Sequence, residues 1–241
     1  MLTITVAVLL SLYMVFGIVM AYVRNGVPGK CKGVTLVVKD SVECGTVNNS
    51  MVMDMLKDNW LDPTGKPADE LLLDSMETVL RRHPFIRTAQ CYLTSAGYLR
   101  IDITSKMPIA RVRGNLGQDF YIDENGSILP CRGIAVNVPV VTGNVSRSTA
   151  SGPLLELLQI IDSDGFWKAQ TEQINITAKG QVQIVPRVGS HILELGGMED
   201  FQSKLDRLRN FYDKGLDKIG WNKYSSISVA YKGQVVCRKK Q

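Results

Sequence analysis

The sequence predicts an α+β protein in which one N-terminal transmembrane helix carries two folded regions. Three observations predict it: a long uncharged stretch opens the chain, a strand–helix–helix–strand–strand order follows, and short strand-like runs fill the remainder. A chain of 241 residues is long enough for two modest domains after a membrane segment is removed. We assign residues 1–23 to the anchor, 24–32 to a linker, 33–106 to a first domain and 107–241 to a second.

The first segment has the length and content of a membrane span. Residues 2–23 contain no charged side chain, and at about 1.5 Å per residue they would form a helix of roughly 33 Å, against a bilayer core of about 30 Å. A cleaved signal peptide would have a basic start, a shorter apolar run and a small-x-small exit, which residues 20–23 do not provide. A buried core helix is rarely uncharged over this length. We therefore predict a permanent anchor.

The charges next to this anchor favour one orientation in the membrane. Arg24, Lys30 and Lys32 follow the apolar stretch directly. The positive-inside rule places such residues in the cytoplasm and disfavours their export. On charge alone, the domains after the anchor would be cytoplasmic.

The first domain begins with a strand and two helices. The β-branched run at residues 34–39 predicts the strand. Asn49 or Ser50 is placed to cap a helix whose apolar face is Val52, Met55 and Leu56. A second helix is predicted from about Ala68 to Arg82, with its apolar face formed by Leu72, Met76, Val79 and Leu80.

A hairpin completes this domain. His83 and Pro84 end the second helix, and strands are predicted at residues 85–94 and 98–105 around a turn. In the last strand, apolar and polar residues alternate, which is typical of a sheet with one buried face. The order of elements is β-α-α-β-β.

The second domain is predicted to be a mostly antiparallel sheet with helices packed on it. Asp123-Glu124-Asn125-Gly126 supplies an Asn-Gly hairpin turn. Two helices are predicted, from Gly152 to Ile161 and from about Asp200 to Lys214, the second with Phe201, Leu205, Leu208 and Tyr212 on one face. Strand-like runs are predicted at residues 110–113, 120–122, 138–141, 174–177, 182–186 and 226–236.

Composition and motifs indicate no catalytic, metal or cofactor site. A net charge of +5 with scattered basic residues and no recognition motif predicts no nucleic-acid partner. The five cysteines show no C-x-x-C spacing; Cys91 is expected to be a buried apolar residue, and one bridge between Cys31 and Cys44 stays open. The H-x-x-E spacing of His191 and Glu194 lacks a third ligand, so a structural histidine is expected. His83, at a helix end, is interpreted as part of a cap.

Several strings in order resemble one family. They are HPFIRTA at residues 83–89, MPIARV at 107–112, FYIDENGSILP at 120–130 and VVTGN at 140–144. Together with the order of elements, they are similar to the FtsQ/DivIB family of cell-division proteins: a membrane anchor, a POTRA-type β-α-α-β-β domain and a β domain. Later strings, such as GWNKY at 220–224, look most like the branch found in Bacteroidota.

The resemblance implies a function and a location. A member of this family would be a non-catalytic divisome scaffold in the bacterial inner membrane, at the division septum, with its domains exported and against the local charge bias. It would bind FtsB- and FtsL-like single-pass proteins and help to position the septal peptidoglycan synthase complex. The alternative is a POTRA-bearing chaperone-like module of outer-membrane or secretion assembly, which would need a barrel or repeated POTRA units.

The resemblance also implies where the partner binds. The last strand-like run could lie at a sheet edge, either as an ordinary edge protected by the charged Arg238-Lys239-Lys240 tail or as one that accepts a strand from another chain. The resemblance favours the second, because the family is thought to recruit FtsB through the end of this domain. Tyr231 is the expected side-chain anchor, and its replacement by alanine is expected to weaken binding by roughly 1–3 kcal/mol. Proline at Val229 or Gln234 is expected to remove a ladder donor. The full predicted set is Ser226, Ser228, Val229, Ala230, Tyr231, Gln234, Val235 and Val236.

Overall fold

The computed structural model describes residues 10–20, 29–39, 47–115, 117–131, 135–216 and 220–240. The described residues up to Ser105 form one compact unit, and those from Lys106 onwards form a second.

Helix α1 covers residues 10–20, and all of its side chains are exposed. Phe16, for example, is 58% exposed and Ile18 66%. Within the described part of the chain, no helix combines the length and the apolarity needed to cross a membrane. The rest of the predicted span, residues 2–9 and 21–23, lies outside the described residues.

The first unit has the predicted element order, with a short 3-10 turn added before its second helix. Strand β3 lies in the centre of a three-stranded sheet, parallel to β1 and antiparallel to β2. The elements are β1 (Gly33–Lys39), α2 (Asn49–Asp58), the 3-10 turn (Ala68–Glu70), α3 (Leu73–Arg81), β2 (Ile86–Leu93) and β3 (Tyr98–Ser105).

The alternation predicted for β3 is confirmed, but two helix details are wrong. Leu99, Ile101 and Ile103 are each fully buried. Helix α2 is capped one residue earlier than predicted, because the Asn48 side chain accepts the Met51 N–H at 2.9 Å. Helix α3 begins only at Leu73, so Leu72 precedes it with a non-helical backbone and is 61% exposed. Leu72 is therefore not part of the apolar helix face on which the sequence placed it.

The second unit is built on a nine-stranded sheet in the order β12-β11-β10-β9-β8-β7-β4-β5-β6. Its strands are β4 (Pro108–Gly114), β5 (Asp119–Asp123), β6 (Ile128–Pro130), β7 (Val140–Gly143), β8 (Thr171–Ile176), β9 (Val182–Pro186), β10 (Ile192–Gly196), β11 (Tyr224–Ser228) and β12 (Val236–Lys239). Its helices are α4 (Arg147–Ala150), α5 (Pro153–Ser163), α6 (Gly165–Gln170) and α7 (Phe201–Phe211), which continues into a π turn (Tyr212–Leu216). Five of the eight described strand pairings in this sheet are antiparallel, as the sequence predicts.

One face of this sheet is apolar and the other polar, because strand side chains alternate between faces. One register row joins paired residues in the order Phe120, Val112, Val141, Ile174, Ile184, Leu193, Ile227 and Cys237. These residues form one core with helices α5 and α7. The adjacent row is polar apart from its last member: Asp119, Arg113, Thr142, Asn175, Gln183, Glu194, Ser228 and Val236.

The strand predicted over residues 226–236 is wrong, whereas the hairpin turn before it in the chain is confirmed. Gly126 adopts a φ of 79°, and its N–H donates to the Asp123 carbonyl at 3.0 Å. The 226–236 run splits into β11 and β12 around a loop at residues 229–235. Gly233, with a φ of 72°, lies in that loop, and this left-handed backbone ends the extended conformation.

Candidate partner-binding edge

Strand β12 lies at one end of the nine-stranded sheet, and β11 is its only neighbour among the described strands. Strand β11 itself pairs with β10 on one side and β12 on the other. The opposite end of the sheet is β6, which has three residues and finishes in Pro130. Short length and proline are features that keep an edge strand from pairing. Strand β12 has four residues and carries Arg238 and Lys239, whose charge also protects an edge, but it contains no proline. It is therefore the better candidate of the two for accepting a strand.

The hydrogen-bond pattern shows which backbone groups of β12 face away from the sheet. The Lys240 N–H donates to the Lys223 carbonyl at 3.2 Å, so residue 240 points towards β11. Successive residues of a strand point their N–H and C=O groups to alternate sides. Arg238 and Val236 therefore also point inward, while the N–H groups of Cys237 and Lys239 point to the open edge. The Lys239 carbonyl accepts a hydrogen bond from the Ser225 hydroxyl at 3.4 Å.

Side chains on β12 divide between the two sheet faces. Cys237 packs against the apolar core. Val236 belongs to the adjacent register row on the other face and is 50% exposed. A strand added to this edge would therefore meet an exposed aliphatic side chain on the polar face.

The loop before β12 is held by an arginine of helix α7. The Arg207 guanidinium donates to the Val229 carbonyl at 3.0 Å and to the Tyr231 carbonyl at 3.1 Å. Tyr231 is 69% exposed, so its ring is available to a partner while its backbone is fixed. The Gln234 N–H donates to the Tyr231 carbonyl at 3.3 Å and closes the turn.

A groove of about 370 Å³ runs between this loop and the end of helix α7. Phe211 and Val235 give it apolar walls, and Arg207 and Lys214 make its rim basic. The groove therefore suits an apolar side chain with an acidic neighbour.

The structure distributes the eight predicted partner-binding residues over three places. Ser226 and Ser228 lie on β11, whose two sides are both paired, and Val236 lies on β12. The loop contains the other five: Val229, Ala230, Tyr231, Gln234 and Val235.

The two proline substitutions predicted from the sequence fall on donors that are already used within the second unit. The Val229 N–H donates to the Glu194 carbonyl at 2.9 Å inside the sheet, and the Gln234 N–H closes the loop turn. Neither donor faces the open edge. The donors that do, on Cys237 and Lys239, were missed, because their exposure depends on the strand order and leaves no signal in the local sequence.

His191 has the structural role that its sequence context predicts. Its side chain is buried, and its Nε2 lies 2.7 Å from the Tyr212 hydroxyl. Burial lowers the pKa of His191 and raises the pKa of Tyr212 to about 12, so neither group is charged near pH 7. Across the described residues, no three His, Cys, Asp or Glu side chains are grouped as a metal site would require.

A cavity of about 520 Å³ lies near the opposite edge of the sheet. Its Arg111 is paired with the Asp119 carboxylate through two bonds of 2.9 Å and 2.8 Å. Burial raises the pKa of Cys131, which also lines it, to about 11, so this thiol stays protonated and weakly nucleophilic. The cavity holds an ion pair and an unreactive thiol.

The two units together define a class of protein: a small β-α-α-β-β domain followed by a β domain with an open edge strand. The first matches a POTRA-like domain over residues 29–104. The second matches the family model FtsQ/DivIB, C-terminal related, over residues 107–238, which is more than half of the chain. The chain belongs to the FtsQ/DivIB family, as the resemblance implied.

A curated relative gives the same result. The chain is 29% identical over 160 residues to the cell division protein FtsQ of Anaeromyxobacter sp. (strain K). The aligned region covers 59% of this chain. The chain spans about half (52%) of the length of that relative.

Proposed function

We propose that this protein is a membrane-anchored, non-catalytic scaffold of the divisome that binds FtsB- and FtsL-like single-pass proteins. Through these partners it helps to position the septal peptidoglycan synthase complex. Membership of the FtsQ/DivIB family supports a role in cell division. The observation that carries the binding role is the open edge of β12.

The proposed anchor is the uncharged stretch at residues 2–23, with the domains exported. Its described part, α1, has apolar side chains exposed on all sides, from Leu10 at 60% to Met20 at 51%. A helix that is apolar on all sides is normally buried, either in a protein core or in a lipid bilayer. An export-dependent reporter fused at Gln241 should be active. Activity of a cytoplasm-dependent reporter alone would show that the local charges set the topology.

The proposed binding mode is addition of a partner strand to β12. Main-chain hydrogen bonds from the outward N–H groups of Cys237 and Lys239 would supply register, and Tyr231 would supply a side-chain anchor. Tyr231→Ala is expected to weaken binding by roughly 1–3 kcal/mol, because exposed aromatic residues dominate interface energetics.

The sharpest test compares two substitutions of Lys239. Lys239→Pro removes the outward N–H, whereas Lys239→Ala removes the same charged side chain and keeps the donor. Affinity for the soluble segment of the FtsB-like partner should fall about 5- to 30-fold in the proline variant relative to the alanine variant, as expected for the loss of one main-chain bond of about 1–2 kcal/mol. Both variants should have the same melting temperature, because the lost donor points away from β11. Equal affinities in two folded variants would place the docking site elsewhere.

The role in division and the absence of catalysis are tested in cells. Depletion of the protein should give filaments without septa, whereas an envelope-protein defect with normal division would favour the chaperone-like alternative. His83→Ala and His191→Ala should support division at normal protein levels. Loss of division in a folded, localised variant would indicate chemistry at that histidine.

A further inference from the structure

Trp60 combines a left-handed backbone with an exposed side chain. It follows Asn59, the C-cap of α2, and has a φ of 62°, in the left-handed region that favours glycine. Its side chain is 90% exposed. The end of α2 accounts for this backbone, because the Trp60 N–H donates to the Lys57 carbonyl at 3.0 Å and the Leu61 N–H donates to the Leu56 carbonyl at 2.8 Å, as in a helix C-cap. The fold nevertheless leaves a large indole in solvent, and this exposure indicates a role for the side chain outside the unit.

The segment around Trp60, residues 57–66, is tied to the point where the chain enters the first unit. We call this segment the Trp60 loop. The Cys31 N–H donates to the Lys66 carbonyl at 2.8 Å, and the Gly65 N–H donates to the Cys31 carbonyl at 3.0 Å. Lys30 also forms a β-bridge with Pro67.

This point of entry is close in sequence to the uncharged stretch. Gly29 follows Val23 by only six residues. At no more than about 3.6 Å per residue, the chain cannot separate them by more than about 22 Å. If residues 2–23 lie in a bilayer, the Trp60 loop is held near its surface.

The charges of this region suit an anionic surface. Four lysines, Lys30, Lys32, Lys57 and Lys66, stand against two acidic residues, Asp58 and Asp62, within residues 29–32 and 57–66. The Asp62 carboxylate is engaged by the Thr64 N–H at 3.0 Å, which lowers its pKa. Lys30, Lys32 and Lys57 are exposed. Tryptophan beside lysine is the composition of the membrane–water interface, where the indole lies at headgroup level and the ammonium groups meet lipid phosphates.

We infer that the Trp60 loop is a second membrane contact, in which Trp60 inserts into the headgroup layer of an anionic bilayer beside the anchor. The inference rests on the proposed anchor. It assigns the first unit a fixed face towards the lipid.

The test uses the full chain in nanodiscs of phosphatidylglycerol and phosphatidylcholine in equal parts, with lipids brominated near the headgroup end of their chains. The signal of Trp60 is the fluorescence difference between the wild type and Trp60→Gly, since glycine accepts the positive φ and preserves the loop. This difference should be quenched by the brominated lipid and shielded from acrylamide. The corresponding difference for Trp221→Phe, which removes a half-buried tryptophan of the second unit, should not respond to the brominated lipid.

Charge variants test the lysines separately. Lys57→Glu should reduce the lipid quenching of Trp60, as should added salt, which screens exposed charges beyond about 8–10 Å. Lys223→Glu, an exposed site in the second unit, is the matched control and should leave the quenching unchanged. Suppose that the chain resists carbonate extraction, but acrylamide quenches Trp60 freely and brominated lipid does not. This result would overturn the inference about Trp60 and leave the proposed anchor standing. A chain that carbonate extracts would overturn the proposed anchor as well.

Discussion

Arg207 is expected to hold the loop that positions the β12 edge, and replacing it by lysine tests this. The guanidinium bonds two carbonyls at once, those of Val229 and Tyr231. A lysine keeps the charge but cannot reproduce the planar fork. The variant should lose one bond of the pair. Because a hydrogen bond to a charged group contributes about 1.5–3 kcal/mol and Arg207 is only half-buried, we expect a loss of about 1–2 kcal/mol.

The loss should be visible in three measurements. The melting temperature of the second unit should fall by roughly 3–8 °C, and hydrogen exchange of the Gln234 amide should accelerate because its turn is no longer fixed. Affinity for the FtsB-like partner should fall about 5- to 30-fold, since the loop must then be ordered on binding. The matched control is Arg187→Lys, in the same unit, whose exposed pair with Glu172 is worth below about 1 kcal/mol. An Arg207→Lys protein with wild-type melting and wild-type exchange at Gln234 would refute the reasoning.

Three further outcomes follow from burial. Leu80→Ala should lower the free energy of unfolding by about 2–5 kcal/mol, measured with denaturant. Leu72→Ala should change it by less than about 0.5 kcal/mol, because Leu72 is exposed. Equal losses would mean that Leu72 belongs to the buried helical face predicted from the sequence. Because burial lowers the pKa of His191 from 6.5, the unfolded chain takes up a proton that the native chain does not, so stability is present above about pH 6.5 and is lost as pH falls through the folded pKa. Between pH 8 and pH 5, the melting temperature of His191→Gln should therefore fall by less than that of the wild type. Equal falls in the two proteins would contradict this. Burial raises the pKa of Cys91 to about 12, so iodoacetamide at pH 8 should modify it only after unfolding, as mass spectrometry of native and urea-treated protein can show; rapid native labelling would mean that the thiol is open to solvent.

The sequence by itself determined the features that depend on neighbours along the chain. The alternation at Leu99, Ile101 and Ile103 placed one face of β3 in the core, because the side-chain period of a strand is two. The Asn-Gly turn ending at Gly126 was recognisable for the same local reason. The predicted helix at Asp200 to Lys214 is found as α7 and its π turn, with Phe201, Leu205, Leu208 and Tyr212 all buried as predicted.

Only the tertiary structure decided which backbone groups are open to a partner. The run from Ser226 to Val236 carries β-branched residues on both sides of Lys232-Gly233. Within it, β11 is paired on both sides and β12 is at the edge. Strand β10 lies parallel to β11 and is joined to it through α7, so the strand order depends on where that helix packs. The direction of the Lys239 N–H and the reach of Arg207 to the loop follow from that packing. A local pattern gives the period of a strand, but its neighbours are chosen by burial of the whole sheet against its helices, and this choice decides which donors remain free.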